Sequence, residues 1–330
     1  MGEFKGVEIT RHTLHYRAPI TTAHGQLHQR PVVVVAVSDD QGNIGFGEAA
    51  PLTGFTAENI NESEAAIRQW FADEQPEGPP NLPTARAAID GAFLDLQARQ
   101  RGLALHRHLN PESPDRLPLA ALLAGRSTED LVCQALERKA EGFTTLKIKV
   151  AAASFSFDFE RVAAVRSATG KDMALRLDAN GGWTTTEALH NIEKLAPLGI
   201  EFIEEPTAGL EALAAVCREA IVPVAVDESA GCLSDLRRAI DLGAGDFFVV
   251  KPSSLGGLVV AGEAVTLATT AGQKVIITSL LESSYGIRLA AHFAAAHGLT
   301  NPAPGLATAE LLTHDPGSPL TISDGHLLLT

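Results

Sequence analysis

Cysteine is scarce: three residues in a chain of 330, at Cys133, Cys217 and Cys232. No two have metal-ligand or redox-motif spacing, and an odd count does not make a disulfide framework. They read as idle or buried thiols in a reducing compartment, and the expected location is cytoplasmic. Long apolar runs are missing too, with none approaching the roughly 20 residues of a membrane span. The start, MGEFKGVEIT, carries an early Glu, no apolar leader core and no hydroxyl residue at position six. A secretory signal and a myristoylation site are therefore not expected. Positive charge is in short supply, with 26 Lys and Arg against 40 Asp and Glu, a formal net charge of −14. That balance argues against nucleic acid or an anionic membrane as the main partner. A small carboxylate substrate remains open, because local charge at a site can oppose the net charge. Oligomeric state is left open, a homo-oligomer included.

What is present is enough apolar material for a sizeable core: 45% hydrophobic residues and 20% charged over one large and one smaller domain. The first third reads as α+β. Strands are expected at 5–16, at 31–38 (PVVVVAVS) and in NIGFGEAA, after the turn residues DDQGN. Two helices come next. In the second, Ala85, Ala88, Ile89, Ala92, Phe93 and Leu96 share one face, and Pro83 marks its start. The turn-rich stretch NPESPDRLP (110–118) separates a capping domain, 1–115, from the remainder of the chain.

Beyond it the pattern alternates. Strands are expected at 118–123, 144–150, 173–178, 200–204, 222–227, 246–251 and 274–279. Helices are expected at 128–141, 158–169, 186–196, 210–219, 233–242 and 257–271. Such alternation implies a parallel sheet, and this many units favour a closed (β/α) barrel over 116–306. A last strand near 300–306 is weakly written. The tail, 307–330, is expected to return to the first domain.

Five charged residues end five of these apolar runs: Lys149, Asp178, Glu204, Asp227 and Lys251, spaced by 29, 26, 23 and 24 residues. A charge in an apolar run is costly unless something pairs with it. Five at the carboxyl ends of successive barrel strands read as one site. Residues two apart on a strand share a face, so Lys147 points with Lys149. Three converging carboxylates would repel and protonate unless a cation joins them, and an all-oxygen set suits Mg²⁺, with Mn²⁺ as an alternative. The competing reading is three separate helix N-caps, but regular spacing and two opposing lysines fit that poorly. Lysines facing a metal-bound substrate point to proton transfer at carbon, the metal stabilising the oxyanion that forms.

The ordered set KIK, DAN, EEP, DES, KPSSLGG and LLESSYG resembles the enolase superfamily, muconate-lactonizing subgroup, across nearly the whole chain. The resemblance implies an α+β capping domain on a modified (β/α)₇β TIM-like barrel, and the superfamily's pairing of a Lys or His base with Mg²⁺. The ends, PITTAHGQLHQRPVVVV with GFGEAAPLTGFTAEN and NPAPGLATAELL, look most like the o-succinylbenzoate synthase family. This implies syn-dehydration of 2-succinyl-6-hydroxy-2,4-cyclohexadiene-1-carboxylate in menaquinone biosynthesis. By matching position, Lys149 is the acid/base, Lys251 steadies the intermediate, and Lys147 tunes Lys149. Asp178, Glu204 and Asp227 hold Mg²⁺. Thr278, Ser279, Gly305, Asn180 and Phe55 contact substrate. The family usually has Ser where this chain has Thr278, and Gly181-Gly182 stand where some relatives carry larger side chains. Dipeptide epimerases of the same subgroup resemble Asp-x-Asp where this chain has GLATAE. N-succinylamino acid racemisation could use the same two lysines, and muconate cycloisomerisation is a further option. A non-catalytic barrel that binds a metal or metabolite is the alternative of a different class, and so complete a constellation weighs against it.

Some signals carry no site. GNIGFGE does not match G-x-G-x-x-G and reads as turn and loop. His12, His15, His24 and His28 are taken as solvated, Gly256-Gly257 as turn chemistry, and Trp183 as packing near the barrel mouth.

Overall fold

The computed structural model describes residues 2–22, 25–73, 78–125 and 127–330, so His24 lies outside the described residues. Strands β1 (Phe4–Thr22) and β2 (Gly25–Asp39) pair antiparallel, and β3 (Ile44–Ala49) joins β2. Both hairpin strands run further than their apolar stretches, because antiparallel pairing continues through polar residues such as Gln26 and Gln29. The unbroken run Val32–Val35 is explained by burial on two faces. Val33, Val35 and Val37 pack under helices, while Val32 meets Leu14 and Tyr16.

Helix α1 (Ile60–Ala72) opens on a capping box of Asn59 and Glu62, and α2 (Pro83–Gln100) has Pro83 in its first turn. The α2 face expected to be apolar is buried against the sheet. The expected strand in NIGFGEAA forms as β3, and the turn-and-loop reading of GNIGFGE holds only for Gly42 and Asn43. A Cβ on Gly47 would lie 1.8 Å from the Ala88 carbonyl, so the glycines let α2 sit directly on β3.

Short elements lead into the barrel: α3 (Leu105–Leu109) and β4 (Arg116–Pro118). Then β5 (Ala120–Leu123), α4 (Thr128–Ala140), β6 (Thr145–Lys149), α5 (Phe155–Thr169), β7 (Ala174–Asp178), α6 (Thr185–Leu195) and β8 (Ile200–Glu204) alternate. The alternation continues with α7 (Leu210–Glu219), β9 (Val224–Val226), α8 (Leu233–Leu242), β10 (Phe247–Val250), α9 (Pro252–Leu255), α10 (Leu258–Thr270), β11 (Lys274–Ile277) and α11 (Ser284–Ala296). Strands β5 to β11 are parallel and neighbour one another in chain order. Their outer faces pack on the helices, and Phe202, Ala225, Phe247, Val249 and Ile276 fill the interior. Burial on both sides is why these strands read as apolar runs.

The expected strand near 300–306 is not a regular one. Pro302 and Pro304 lack the N–H that a ladder needs. The segment still bridges the two edges: Ala120 N–H donates to the Pro304 carbonyl (2.8 Å) and Gly305 N–H to the Ile277 carbonyl (2.9 Å). The barrel therefore closes with seven strands and one irregular eighth segment.

The tail forms β12 (Leu312–His314), β13 (Ile322–Ser323) and β14 (His326–Leu328). β12 pairs with β1 and β14 with β4. The cap is fastened to the barrel by buried polar contacts. Arg30 reaches the carbonyls of Leu280 and Ala50, and that of Pro51 at 2.9 Å. Glu48 accepts from Ser283 N–H at 3.0 Å and its hydroxyl at 2.6 Å.

Candidate active site

The carboxyl ends of the barrel strands open into a cavity of about 110 Å³, roofed by Ile20, Leu52 and Phe55 of the cap. All five charged strand-end residues line it, together with Lys147. β6 carries Lys147 and Lys149 inward while Ile148 is buried on the other face. In register, Lys149 stands beside Asp178, and Asp178 beside Glu204.

The three lysines are held differently. Lys147 Nζ bridges Asp178 Oδ2 at 3.0 Å and Glu204 Oε1 at 2.7 Å. Lys251 Nζ is buried against Asp227 Oδ1 and sits 4.4 Å from the centre of the Phe55 ring. Lys149 Nζ donates to the neutral Asn180 Oδ1 at 2.8 Å and stays 3.9 Å from Asp178. Its side chain is 28% exposed, against 9% for Lys251.

Burial alone would lower the pKa of Lys147, but attraction by Asp178, Glu204 and Asp227 outweighs it and holds the ammonium above the ordinary lysine range. Lys251 is raised in the same way, burial being outweighed by Asp227 and Glu228. Burial would raise Asp178, but Lys147 and Lys149 pull it below the usual carboxylate value. Glu204 goes the other way, pushed up to about 8 by burial and, less strongly, by repulsion from Asp178 and Asp227. Burial raises Asp227 and Glu228 as well, and takes Glu205 to about 8.

No three His, Cys, Asp or Glu side chains among the described residues stand together as a ready metal-holding group. Lys147 occupies the space between Asp178 and Glu204 and Lys251 takes Asp227, so ammonium groups carry the compensation here. The donor chemistry nevertheless fits a divalent cation. Three buried carboxylates converge from successive strands, and the two pushed upward would gain from more positive charge.

Among the expected substrate contacts, Phe55, Asn180, Thr278, Ser279 and Gly305 all line the cavity. Thr278 Oγ1 is buried with no hydrogen-bond partner. Ser279 and Gly305 are less available than expected. The Ser279 hydroxyl is 2.6 Å from that of Thr308, and the Gly305 N–H is spent on barrel closure. Trp183, His12, His15 and His28 do not line the cavity.

Two carboxylates escape notice in the motifs that name their neighbours. Glu205, the second acid of EEP, accepts from Asp227 N–H at 2.8 Å and Ser229 N–H at 3.1 Å, fixing the end of β9. Glu228, the acid of DES, lines the cavity and accepts from Asn180 Nδ2 at 2.8 Å. A charge directly after a ligand-like acid at a strand end is the signal that sequence offers for both.

Comparison with known proteins agrees with this architecture. Residues 130–330 match the family model described as "Enolase C-terminal domain-like", and residues 4–89 match "MenC, N-terminal domain". An L-Ala-D/L-Glu epimerase from Bacillus subtilis (strain 168) is 29% identical over 88% of this chain and 84% of its own length. An N-succinyl-L-Arg/Lys racemase from Bacillus cereus is 25% identical over 85% of this chain and 81% of its own. The solved structure of a dipeptide epimerase from Enterococcus faecalis V583, complexed with Mg and the dipeptide L-Leu-L-Tyr, superposes with a TM-score of 0.90. It is 27% identical and covers 100% of this chain and 98% of that one. With its barrel closed, its cap seated over the strand ends and most of its length matched by the family model, this chain belongs to the enolase superfamily.

Proposed function

We propose that this chain removes the proton α to the carboxylate of a small substrate, with Lys149 as the base and Lys251 as a fixed cation. The observation that carries this reading is how unlike the two lysines are. Lys149 is partly exposed and bound to a neutral amide, so it is free to move a proton. Lys251 is buried against Asp227, four strands further around the barrel, and keeps its charge. Lys147 lies on the same face of β6 as Lys149 and is held by Asp178 and Glu204.

Asp178, Glu204 and Asp227 would hold Mg²⁺, or Mn²⁺ in its place, which when bound supplies Lewis-acid stabilisation of the developing oxyanion. Phe55 and Thr278 would enclose the substrate. The division of labour is a capping domain, 1–115 with the tail 307–330, over a barrel, 116–306.

The fate of the resulting carbanion has two readings. Delivery of a proton to the opposite face of the carbon, for which Lys251 would be the donor, makes the enzyme a racemase or epimerase of an N-acylamino acid or dipeptide. The activities named for the relatives above support this fate most directly. Loss of a β-hydroxyl makes it a dehydratase of the o-succinylbenzoate synthase type, acting towards menaquinone. Features of this chain favour that second fate: the match of residues 4–89 to the MenC N-terminal domain, and the absence of an acidic pair in GLATAE. The single acid there, Glu310, is paired with Arg138 at 2.8 Å. One mobile base also suffices for a syn-elimination.

The deciding experiment supplies the protein and Mg²⁺ with N-succinylamino acids, dipeptides and 2-succinyl-6-hydroxy-2,4-cyclohexadiene-1-carboxylate. Optical rotation and dienyl absorbance are followed. Loss of absorbance establishes dehydration, and loss of rotation establishes racemisation or epimerisation. Neither change with any substrate, and no α-deuterium in D₂O, contradicts the proposal as a whole.

A further inference from the structure

A second cavity, of about 360 Å³, lies away from the strand ends, between α2 and β3 of the cap, α11 of the barrel and the tail. Arg99, Arg288 and His292 line it. Arg288 is half-buried, and burial holds its pKa below the ordinary arginine value. Its one hydrogen bond runs from Nη2 to the Ser318 carbonyl at 3.3 Å, and no carboxylate among the described residues forms an ion pair with it. The acids nearby are committed elsewhere. Asp95 accepts from Arg99 Nε at 2.9 Å and from Phe46 N–H at 3.0 Å. Asp315 accepts from Ser284 N–H at 2.9 Å, from the Ser284 hydroxyl at 2.8 Å and from Gly317 N–H at 2.9 Å. Thr330 lines the cavity without an ion pair to either arginine. His292 is buried, yet it keeps an unspent donor. A backbone amide can only donate, and that of His106 donates to His292 Nδ1 at 3.3 Å. Nδ1 is therefore the bare nitrogen, and Nε2 carries the proton of the neutral ring. Burial keeps the ring neutral, with His106 and the two arginines adding to the effect, and pushes its pKa down to about 3. Nε2–H meets no acceptor among the described residues and, like the remaining Arg288 N–H groups, is open to solvent.

We propose that this cavity binds a small oxyanion, a carboxylate or a phosphate monoester, held by Arg288, Arg99 and the Nε2–H of His292. Guanidinium groups match such anions with paired N–H donors, and charge-assisted bonds of this kind are the strong ones. The volume exceeds that of the strand-end cavity, about 110 Å³, so there is room for the body of a metabolite beyond its anionic head. The rings of Phe46 and Tyr285, stacked at 4.9 Å, give that body an apolar wall. Arg99 belongs to the cap, and Arg288 and His292 to the barrel, so a bound anion joins the two and stabilises the folded chain by mass action. The inference stands apart from the α-proton chemistry.

The test reads binding, so it does not depend on turnover. Full-length protein is titrated calorimetrically with inorganic phosphate, methyl phosphate and succinate, with sodium chloride holding the ionic strength constant. Thermal midpoints are read at each concentration. The parent should bind at least one of the three with a Kd of about 1 mM or tighter, and its midpoint should climb as that anion is added. Arg288→Gln and Arg99→Gln should each weaken the binding about tenfold or more. Circular dichroism and the midpoint in anion-free buffer check that the variants fold. Should Arg288→Gln fail to fold, Arg99→Gln decides alone, since its side chain is 44% exposed. Tighter binding of the phosphates identifies a phosphorylated ligand, and tighter binding of succinate a carboxylate. The lysines at the strand ends also attract anions, so binding that survives both substitutions belongs there and overturns the inference. No binding by the parent at about 10 mM overturns it as well.

Discussion

The ammonium of Lys251 lies 4.4 Å from the centre of the Phe55 ring, so a cap residue touches a barrel residue over the cavity. Cap and barrel each supply half of that contact. Such a cation–π pair contributes about 0.5–2 kcal/mol depending on desolvation. Phe55→Ala should therefore raise KM several-fold and change kcat less. Steady-state kinetics on whichever substrate is turned over checks this, and an unchanged KM would remove Phe55 from the substrate's surroundings.

Arg30 ties the two domains from the other side. Its guanidinium is buried and reaches carbonyls in both the cap loop and the loop after β11, which follows Thr278 and Ser279. Arg30→Met would leave several buried carbonyls unpaired, at about 1–3 kcal/mol each where water cannot enter. A fall in denaturation midpoint together with a raised KM is expected. A stable variant with parental kinetics would show that the loops hold each other without it.

Gly47→Ala is predicted to cost about 3 kcal/mol or more, since the new methyl would meet backbone of α2 and not a movable side chain. Chemical denaturation measures it. A cost near zero would mean that α2 can back away from β3.

Stability should fall as pH rises in metal-free protein. Glu48 is pushed up to about 7 by burial, and Glu205 to about 8, from an ordinary value of 4.5. Carboxyls raised on folding bind more protons in the folded state, so their contribution is full below pH 4.5 and lost as pH rises through 7 to 8. A tenfold difference in proton affinity between the folded and unfolded chain corresponds to about 1.4 kcal/mol. Thermal midpoints across pH 5 to 8.5 should decline, and Glu48→Gln and Glu205→Gln should each flatten the slope. A midpoint that climbs over that range would contradict the assignment.

The barrel was legible because its strands are buried on both faces and its helices on one, so the two periodicities alternate plainly from Leu119 onward. The site was legible for the same reason: Lys149, Asp178, Glu204, Asp227 and Lys251 are charges where only apolar residues otherwise stand. The closing segment at 300–306 was not, because two prolines replace a ladder with isolated bridges. Gly45 and Gly47 were read both as strand and as loop, because close helix contact leaves no mark in sequence beyond the missing side chain. Glu205 and Glu228 were hidden beside the acids that drew attention. That Lys147 reaches both Asp178 and Glu204 depends on side-chain reach, which spacing does not encode.

The central claim is that Lys149 moves the α-proton. Its most direct test is proton NMR of α-hydrogen exchange in D₂O with Mg²⁺, comparing the parent with Lys149→Ala on the substrate that the parent exchanges. Lys149→Ala is predicted to fold as the parent does and to exchange at least about a hundredfold more slowly, in line with loss of a general base of about 10²–10⁴. Exchange within tenfold of the parent would contradict it.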